Sequence, residues 1–221
     1  SNLIVEAEDY LGNKTTKSFT IDKIDDSYPV IKSELAMTVD GVPISSSTWT
    51  NKPITLTGSA QDTLSGIKEF VIAGTTYSIS PAETGVVTRS KVIYENGTYS
   101  ASVKDAVGWE KSFKDIKVTH IDTDKPTVSV YYSTAWTNGN VRLYITASDT
   151  GGSGVKEVTI TAPGISKKAT VVSSGSLDGR SCTHYYDMLA SNGRITYEVK
   201  VYDNAGNVCQ TSATATPNID T

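Results

Sequence analysis

The amino-acid sequence predicts an all-β fold of tandem β-sandwiches with about seven strands each. Short segments rich in β-branched and aromatic residues alternate with clusters of Gly, Asn, Asp and Pro, and no convincing helical period is present. An Ile-Asp pair also recurs at Ile24, Ile121 and Ile219, which are 97 and then 98 residues apart. Motifs that recur in one order at one spacing indicate a fold that is built several times.

The strand signals are densest in the last repeat. Turn-forming residues separate its strand-like segments, which alternate apolar and polar positions. These segments are residues 127–133, 141–148, 155–162, 167–173, 182–189, 194–203 and 208–216. Short strands at this spacing are typical of a β-sandwich of roughly 95 residues.

The repeat spacing divides the chain into three parts. Residues 29–123 and 124–221 are predicted to be complete β-sandwiches, and residues 1–28 the final hairpin and linker of a preceding repeat. The hairpin should form two strands because its apolar and polar residues alternate. An isolated hairpin is marginal in water and exposes its edges, so we expect weak association with a sheet edge or with the same hairpin of a neighbouring molecule.

The motif Asp-x-x-Gly begins at Asp9, Asp105 and Asp203, which are equivalent places in the repeats. A three-residue hairpin loop commonly joins a type I turn to a residue in the left-handed region, which favours Asp first and Gly fourth. Asp accepts hydrogen bonds from the backbone, and Gly takes a positive φ without a Cβ clash. We therefore interpret these Asp residues as turn formers.

A second repeated motif lies at residues 62–67 and 149–155, where the chain leaves one strand and enters the next. Its Asp can cap the loop, its Ser and Gly allow the bend, and Ile67 or Val155 begins the next buried strand. The second copy is one residue longer, through Gly151-Gly152. We interpret the motif as a crossing between the two sheets of a sandwich.

Taken in order, these motifs resemble the bacterial immunoglobulin-like (Big-type) tandem repeats of cell-surface and secreted proteins. The resemblance rests on Trp-Thr-Asn, Asp-x-x-Ser-Gly, Asn-Gly-x-Tyr, Asp-x-x-Gly-Asn and Ile-Asp-x-x-x-Pro, and it covers nearly the whole chain. Trp109 departs from it by replacing the usual Asn, and residues 192–197 hold two residues more than residues 96–99. The resemblance implies an immunoglobulin-like fold, an extracellular setting at the cell surface or cell wall, and a spacer or adhesive role.

Composition argues against two classes of partner. The net charge is −4 and the sequence pI about 5.2, with Lys and Arg spread singly along the chain. Nucleic-acid binding depends on neutralising phosphates, so we expect no nucleic-acid partner. Apolar residues, 38% of the chain, fall in short runs that stay far below the roughly 20 residues of a membrane span, so we expect no membrane insertion.

The acidic turns raise the alternative of a calcium site, since Asp-rich loops between tandem domains can supply oxygen ligands. Asp122, Asp124 and Asp149 could gather near the junction of the two complete repeats. The varied residue after the turn Gly and the unequal lengths of the second motif argue against a shared ligand set. Because turn formation already explains the Asp residues, we predict no metal, no cofactor and no dependence of stability on metal.

Candidate catalytic groups are few. Cys182 and His184 are two apart on a predicted strand, which is the minimal geometry for a nucleophilic pair or half of a zinc site. No third partner has metal-ligand spacing and the other histidine is His120, so we interpret both as strand residues. A disulfide between Cys182 and Cys209 stays open, because it depends on the distance between two strands. There is no nucleophile elbow, and we predict no enzymatic activity, although a carboxylate pair of a glycosidase leaves no local signature.

Trp49 and Trp136 precede the second strand of each complete repeat. A Trp at the same place in two repeats favours packing in a shared core or at a domain end, and stacking on sugar rings is the alternative. The sequence therefore predicts a stalk, spacer or adhesive module with a protein or glycan partner, whose Ile-Asp-x-x-x-Pro linkers resist bending. An accessory, carbohydrate-binding segment of a large secreted carbohydrate-active enzyme is the alternative.

Overall fold

The computed structural model is all β, and no helix is present among the residues that it describes. It describes residues 2–139, 141–162, 165–168, 170–172, 181–188, 195–216, 218 and 220. For residue 213 and for those of the described residues that lie between 162 and 195, it describes the backbone alone. Within these ranges, no helix of the length and apolarity needed to cross a membrane is found. The predicted all-β class is confirmed.

The described residues form twenty strands. They are β1 Asn2–Glu8, β2 Lys14–Thr20, β3 Val30–Val39, β4 Val42–Pro43, β5 Ile54–Gln61, β6 Ile67–Ile72, β7 Thr75–Glu83, β8 Val86–Ile93, β9 Gly97–Tyr99, β10 Ala101–Asp105, β11 Glu110–Ser112, β12 Ile116–Val118, β13 Thr127–Tyr132, β14 Val141–Ser148, β15 Val155–Ala162, β16 Ile165–Lys168, β17 Thr170–Val172, β18 Ser181–Met188, β19 Ile195–Asp203 and β20 Val208–Ala215.

The N-terminal strands β1 and β2 form an antiparallel hairpin that is a sheet of its own. Every residue of both strands is exposed. The prediction that this segment forms two strands is therefore confirmed. Its association with another sheet edge or another molecule stays a prediction.

Strands β3 to β12 build the first group of sheets. Two four-stranded sheets have the orders β4-β3-β5-β8 and β11-β10-β6-β7, and β9 pairs with β12. Side chains of β10 alternate between buried and half-buried because successive residues of a strand point to opposite faces.

A tight aromatic core fills this first group. The rings of Phe70 and Phe113 lie 5.3 Å apart between centroids, and both residues are buried. Gly58 lies directly against them, since an added Cβ would be 2.9 Å from Phe113 Cε1 and 3.1 Å from Leu35 Cδ2. A larger residue at position 58 would therefore displace the core.

Strands β13 to β20 form two four-stranded sheets with the orders β13-β14-β18-β17 and β16-β15-β19-β20. Their buried side chains form one apolar cluster that includes Leu143, Ile160, Tyr197 and Val199. Six of the seven predicted strands match the structure within one residue at each end. The exception is the predicted strand 167–173, which is divided between β16 and β17 because these pair with β15 and β18 in different sheets.

Contacts divide the chain into two compact units. The first consists of residues 1–36, 57–91 and 100–115, and the second of residues 37–56, 92–99 and 116–221. The predicted repeat boundaries at 28/29 and 123/124 stay predictions.

Candidate functional site

Each Asp-x-x-Gly turn is closed by the carboxylate of its own Asp. Asp203 Oδ1 accepts hydrogen bonds from the backbone N–H groups of Gly206 and Asn207, both at 2.7 Å. Gly206 has a φ of 99°, a conformation that residues with a Cβ rarely adopt. Asp9 and Asp105 close their turns in the same way. The predicted role of these Asp residues in turns is confirmed.

The second motif also folds as predicted. Asp62 Oδ1 accepts hydrogen bonds from the backbone N–H groups of Leu64, Ser65 and Gly66, at 3.0, 2.9 and 2.8 Å. This loop carries the chain from β5 in one sheet to β6 in another. Asp149 caps the second copy of the loop with both carboxylate oxygens, and the chain there crosses from β14 to β15.

The fold brings together Asp residues from three different motifs. The first carboxylate cluster consists of Asp25 from the Ile-Asp pair, Asp62 from the strand-crossing loop and Asp105 from the hairpin turn. One carboxylate oxygen from each residue lies within 4.8 Å of those from the other two. Asp62 and Asp105 are buried, with exposed fractions of 3% and 0%, and Asp25 is half-buried.

The second carboxylate cluster takes its members from the same three motifs, as Asp122, Asp149 and Asp203, again within 4.8 Å of one another. All three residues are buried. The calcium alternative groups Asp124 with Asp122 and Asp149, but Asp203 takes that place in the cluster, and Asp124 donates its backbone N–H to Asp122 Oδ1 at 3.1 Å. The recurrence of one Asp in each of three motifs was the signal that could have identified Asp203 and the whole first cluster.

The residue after the turn Gly bonds the second cluster together. Asn207 Nδ2 donates to Asp203 Oδ2 at 2.7 Å and to the backbone oxygen of Asp122 at 2.9 Å. Asn207 Oδ1 accepts a hydrogen bond from Asn51 Nδ2 at 3.2 Å. The amide therefore satisfies the second oxygen of the turn carboxylate and ties the turn to two other segments.

Trp109 occupies the same position in the first cluster and bonds differently. Its indole Nε1 donates to the backbone oxygen of Asp25 at 3.4 Å, and its ring packs against Tyr28 with centroids 4.7 Å apart. Within the described part of the chain no donor reaches Asp105 Oδ2, which is buried there without a hydrogen-bond partner. Replacing Asn by Trp thus keeps the bond to the Ile-Asp segment and loses the bond to the turn carboxylate.

Hydrogen bonds hold Asp25 in its charged form. The Ser65 side chain and then the Ser27 backbone N–H lower the pKa of Asp25 below its ordinary value of 3.8, because they stabilise the carboxylate. The Ser65 backbone N–H reaches Oδ2 at 3.2 Å, and Ser27 Oγ reaches Oδ1 at 2.8 Å. A charged carboxylate therefore lies next to the two buried carboxylates of the first cluster.

The chemistry that both clusters can perform is the binding of a hard cation. Ca²⁺ takes six to eight oxygen ligands at about 2.3–2.6 Å, so ligands on opposite sides of the ion are about 4.8 Å apart. The oxygen atoms of each cluster fit inside that limit. Among the described residues, the ion pairs of lysine involve Lys14, Lys52, Lys104 and Lys200, and none of these pairs includes a member of either cluster.

The glycine pair of the longer loop closes over the second cluster. A Cβ on Gly151 would collide with the carboxylate of Asp122, and Gly152 has a φ of 103°. A Cβ on Gly152 would lie 3.6 Å from the ring of Trp49, which packs edge-on against His120 with centroids 4.6 Å apart. The extra residue therefore allows close contact between this loop and the Ile-Asp segment.

The two equivalent Trp residues have different surroundings. Trp49 is half-buried, but Trp136 is 74% exposed, so a place in a shared core is wrong for Trp136. Trp49 packs against His120, which lies two residues before Asp122. The equivalent residue in the last repeat, two before Asp220, is Asn218, which has no ring.

Trp136 instead belongs to an exposed aromatic surface. It lines a depression of about 230 Å³ together with Tyr144. The ring of Tyr144 stacks on that of Tyr131, with centroids 4.8 Å apart and an angle of 6° between the planes.

The predicted Cys and His pair lies on β18, where Cys182 is opposite Ala147 and His184 is opposite Ile145. Their side chains lie outside the described part of the chain. Cys209 is a half-buried free cysteine on β20.

Comparisons with known proteins give similarity in structure only. No protein-family model matches the chain, and no curated protein matches it. The fibronectin(III)-like modules of Clostridium thermocellum CbhA are similar over 86% of this chain and 94% of theirs, with 19% identity and a TM-score of 0.35. A titin immunoglobulin tandem is similar over 87% of this chain and 96% of its own, with 13% identity and a TM-score of 0.29.

A third similar structure is a Bacteroides ovatus glucan-utilisation protein, SGBP-B, in complex with a mixed-linkage heptasaccharide. The match covers 98% of this chain and 52% of the SGBP-B chain, with 17% identity and a TM-score of 0.25. Because all of these TM-scores are below 0.5, the assignment to all-β, immunoglobulin-like sandwiches rests on the strand order and pairing of this chain. The Big-type assignment stays a prediction.

Proposed function

We propose that this chain is a non-catalytic module of an exported bacterial surface protein and acts as a spacer or adhesive repeat. The observation that carries the proposal is the dense bonding of the Ile-Asp segment at Asp122 to loops on both sides of it in the sequence. A spacer needs such short, bonded connections because they restrict bending. The extracellular setting follows from the resemblance of the repeated motifs.

Asp122 is bonded through its backbone and its side chain. Its backbone N–H donates to the Thr50 carbonyl at 2.9 Å, and the Thr50 N–H donates to the His120 carbonyl at 3.0 Å. Its Oδ2 accepts a hydrogen bond from the Ser153 N–H at 3.0 Å, and its carbonyl accepts one from Asn207 Nδ2 at 2.9 Å. All of these residues belong to the second compact unit.

Asn51 adds a direct link between the same loops. Its backbone N–H donates to the Ala205 carbonyl at 3.1 Å, and its side-chain amide donates to Asn207 Oδ1 at 3.2 Å. Each hydrogen bond contributes about 1 kcal/mol to stability, so together these bonds favour a single arrangement of the bonded loops. The buried carboxylates already serve as acceptors in this network, which supports a structural role for them over acid–base catalysis.

The test is the mobility of these loops in solution, measured by ¹⁵N relaxation of the full chain. We expect the amides of Thr50 and Ser153 to report one common tumbling time. Asp122→Ala should separate the two tumbling times, and the neighbouring Asp124→Ala should not. Independent tumbling of the Thr50 and Ser153 segments in the unmodified protein would overturn the spacer proposal.

A second candidate function is glycan binding at the exposed aromatic surface of Trp136, Tyr144 and Tyr131. Exposed rings of this kind can stack on sugar rings, and the exposure of Trp136 favours this role. A glycan array that stays blank at micromolar protein agrees with a spacer. Reproducible binding that Trp136→Ala abolishes and Trp49→Ala retains would establish the accessory, carbohydrate-binding role.

A further inference from the structure

The carboxylate of Asp105 is satisfied on one side only. Its Oδ1 accepts hydrogen bonds from the backbone N–H groups of Val107, Gly108 and Trp109, at 3.0, 2.6 and 2.8 Å. Its Oδ2 is buried and has no hydrogen-bond partner among the residues that the structure describes, and the residue as a whole is 0% exposed. A buried acceptor without a partner costs about 1–3 kcal/mol, and more when it is charged. Native proteins rarely leave such an atom without a compensating ligand.

The other two turns show what is missing at Asp105 Oδ2. Asn13 Nδ2 donates to Asp9 Oδ2, and Asn207 Nδ2 donates to Asp203 Oδ2, each at 2.7 Å. Trp109 has no group that can take this place, because its single side-chain donor is directed to the backbone oxygen of Asp25 and its backbone N–H to Asp105 Oδ1. The lack of a donor is therefore specific to the turn that carries Trp.

The surroundings of Asp105 increase the cost. Asp25 and Asp62 place two further carboxylate oxygens within 4.8 Å, and among the described residues no Lys or Arg is ion-paired with any of the three. Several carboxylates of one sign in a buried site repel one another unless a cation or protons neutralise them. This repulsion is common to both clusters, and the Asp105 Oδ2 atom without a donor adds to it in the first.

A route from solvent leads to this cluster. Asp25, its half-buried member, lines a surface groove of about 450 Å³ together with Lys23, Leu64 and Val107. The first cluster therefore borders this groove at Asp25.

We propose that the first carboxylate cluster is a Ca²⁺ site, with carboxylate ligands from Asp25, Asp62 and Asp105. The ion interacts with Asp105 Oδ2 where an Asn amide bonds the second cluster, and water or backbone oxygens complete its coordination. A donor set of oxygen alone suits Ca²⁺ over Zn²⁺, which prefers nitrogen and sulfur. We assign one ion per chain, because the acceptor without a donor lies in the first cluster, whereas in the second Asn207 Nδ2 donates to Asp203 Oδ2.

Calcium titration of the metal-free full chain, followed by isothermal calorimetry, tests the site. We expect one Ca²⁺ per chain. Asp105→Asn keeps Oδ1 as the acceptor of the turn, and it should weaken calcium binding at least about 100-fold because it removes a charged ligand. The matched variant Asp203→Asn, at the same place in the second cluster, should leave calcium affinity and stoichiometry unchanged. Thermal unfolding in chelator verifies that both variants fold.

Terbium luminescence gives a second readout that depends on position. Trp109 lies beside the first cluster, so its excitation should sensitise bound Tb³⁺, and Asp105→Asn should abolish this signal while Trp49→Phe retains it. The proposal is overturned by the absence of calcium binding at millimolar Ca²⁺ or by unchanged binding in Asp105→Asn. Two ions per chain would also overturn it, since the second cluster would then need an ion despite its amide.

Discussion

The two carboxylate clusters share their motifs and differ in one residue. Each combines an Ile-Asp aspartate, a strand-crossing aspartate and a hairpin-turn aspartate within 4.8 Å. In the second cluster Asn207 bonds both the turn carboxylate and the carbonyl of the Ile-Asp aspartate. In the first, the Trp109 side chain bonds only the equivalent carbonyl, and Asp105 Oδ2 has no donor among the described residues.

This difference shows that one side chain has two separable tasks. The bond to the Ile-Asp carbonyl connects the hairpin turn to the linker, and both Asn207 and Trp109 make it. The bond to the second oxygen of the turn carboxylate gives a buried acceptor its hydrogen-bond donor, and of these two side chains only Asn207 makes it. With Trp at this position the first bond is kept and the second is lost. The Asp105 Oδ2 atom is then a buried acceptor that a ligand can stabilise.

The largest expected effect comes from removing a loop cap. Asp62→Ala removes the acceptor of the Leu64 and Gly66 N–H groups and one of the two acceptors of the Ser65 N–H, and it should lower the free energy of unfolding by about 3 kcal/mol. Asp62→Asn keeps the accepting oxygen and should cost less than about 1 kcal/mol. Urea unfolding in chelator, followed by Trp fluorescence, measures both. Equal losses in the two variants would mean that Asp62 stabilises the loop through its charge, and they would contradict a role as hydrogen-bond acceptor.

A smaller loss is expected at the amide of the second cluster. Asn207→Ala removes two donated hydrogen bonds and one accepted bond at a buried position, and it should cost about 2–3 kcal/mol. The matched variant Asn13→Ala, in the exposed N-terminal turn, should cost less than about 1 kcal/mol. Thermal unfolding of the full chain compares them, and similar costs would show that Asn207 acts only within its turn.

Replacing Trp109 by Asn should give the first cluster the hydrogen bond that Asn207 makes in the second. In Trp109→Asn the new amide can donate to Asp105 Oδ2, so the rise in melting temperature on adding calcium should fall to half or less. Stability in chelator should change by no more than about 1 kcal/mol, because the gained bond offsets lost packing against Tyr28. Calorimetry with and without calcium measures the effect, and Trp109→Phe is the control that should keep the full calcium response.

The smallest effect is a pH dependence in the exposed turn. The Asn13 side chain, and then its backbone, hold the pKa of Asp9 below its ordinary value of 3.8 by donating hydrogen bonds to the carboxylate. Because the folded pKa is the lower one, the stabilising contribution of Asp9 is present above 3.8 and is lost as the pH falls through the folded pKa. An NMR titration of the Asp9 carboxyl should show this lowered pKa, and Asn13→Ala should raise it. An unchanged pKa in the variant would assign the shift to another cause.

The sequence by itself determined the strands and the turns of this protein. Alternation with a period of two residues identified β14 and β15 to the residue, and Asp and Gly three apart identified the hairpin turns. These features are local, since Asp203 bonds N–H groups only three and four residues further along the chain. Local sequence therefore carries the information that these elements need.

Only the tertiary structure decided which residues meet. It divided the predicted strand 167–173 between two sheets, and it chose Asp203 over Asp124 for the second cluster. It also left Trp136 exposed while Trp49 packs on His120. The physical reason is that these outcomes depend on contacts between distant residues, such as the Asn207 bond to the Asp122 carbonyl across 85 residues, which local periodicity and turn propensity do not encode.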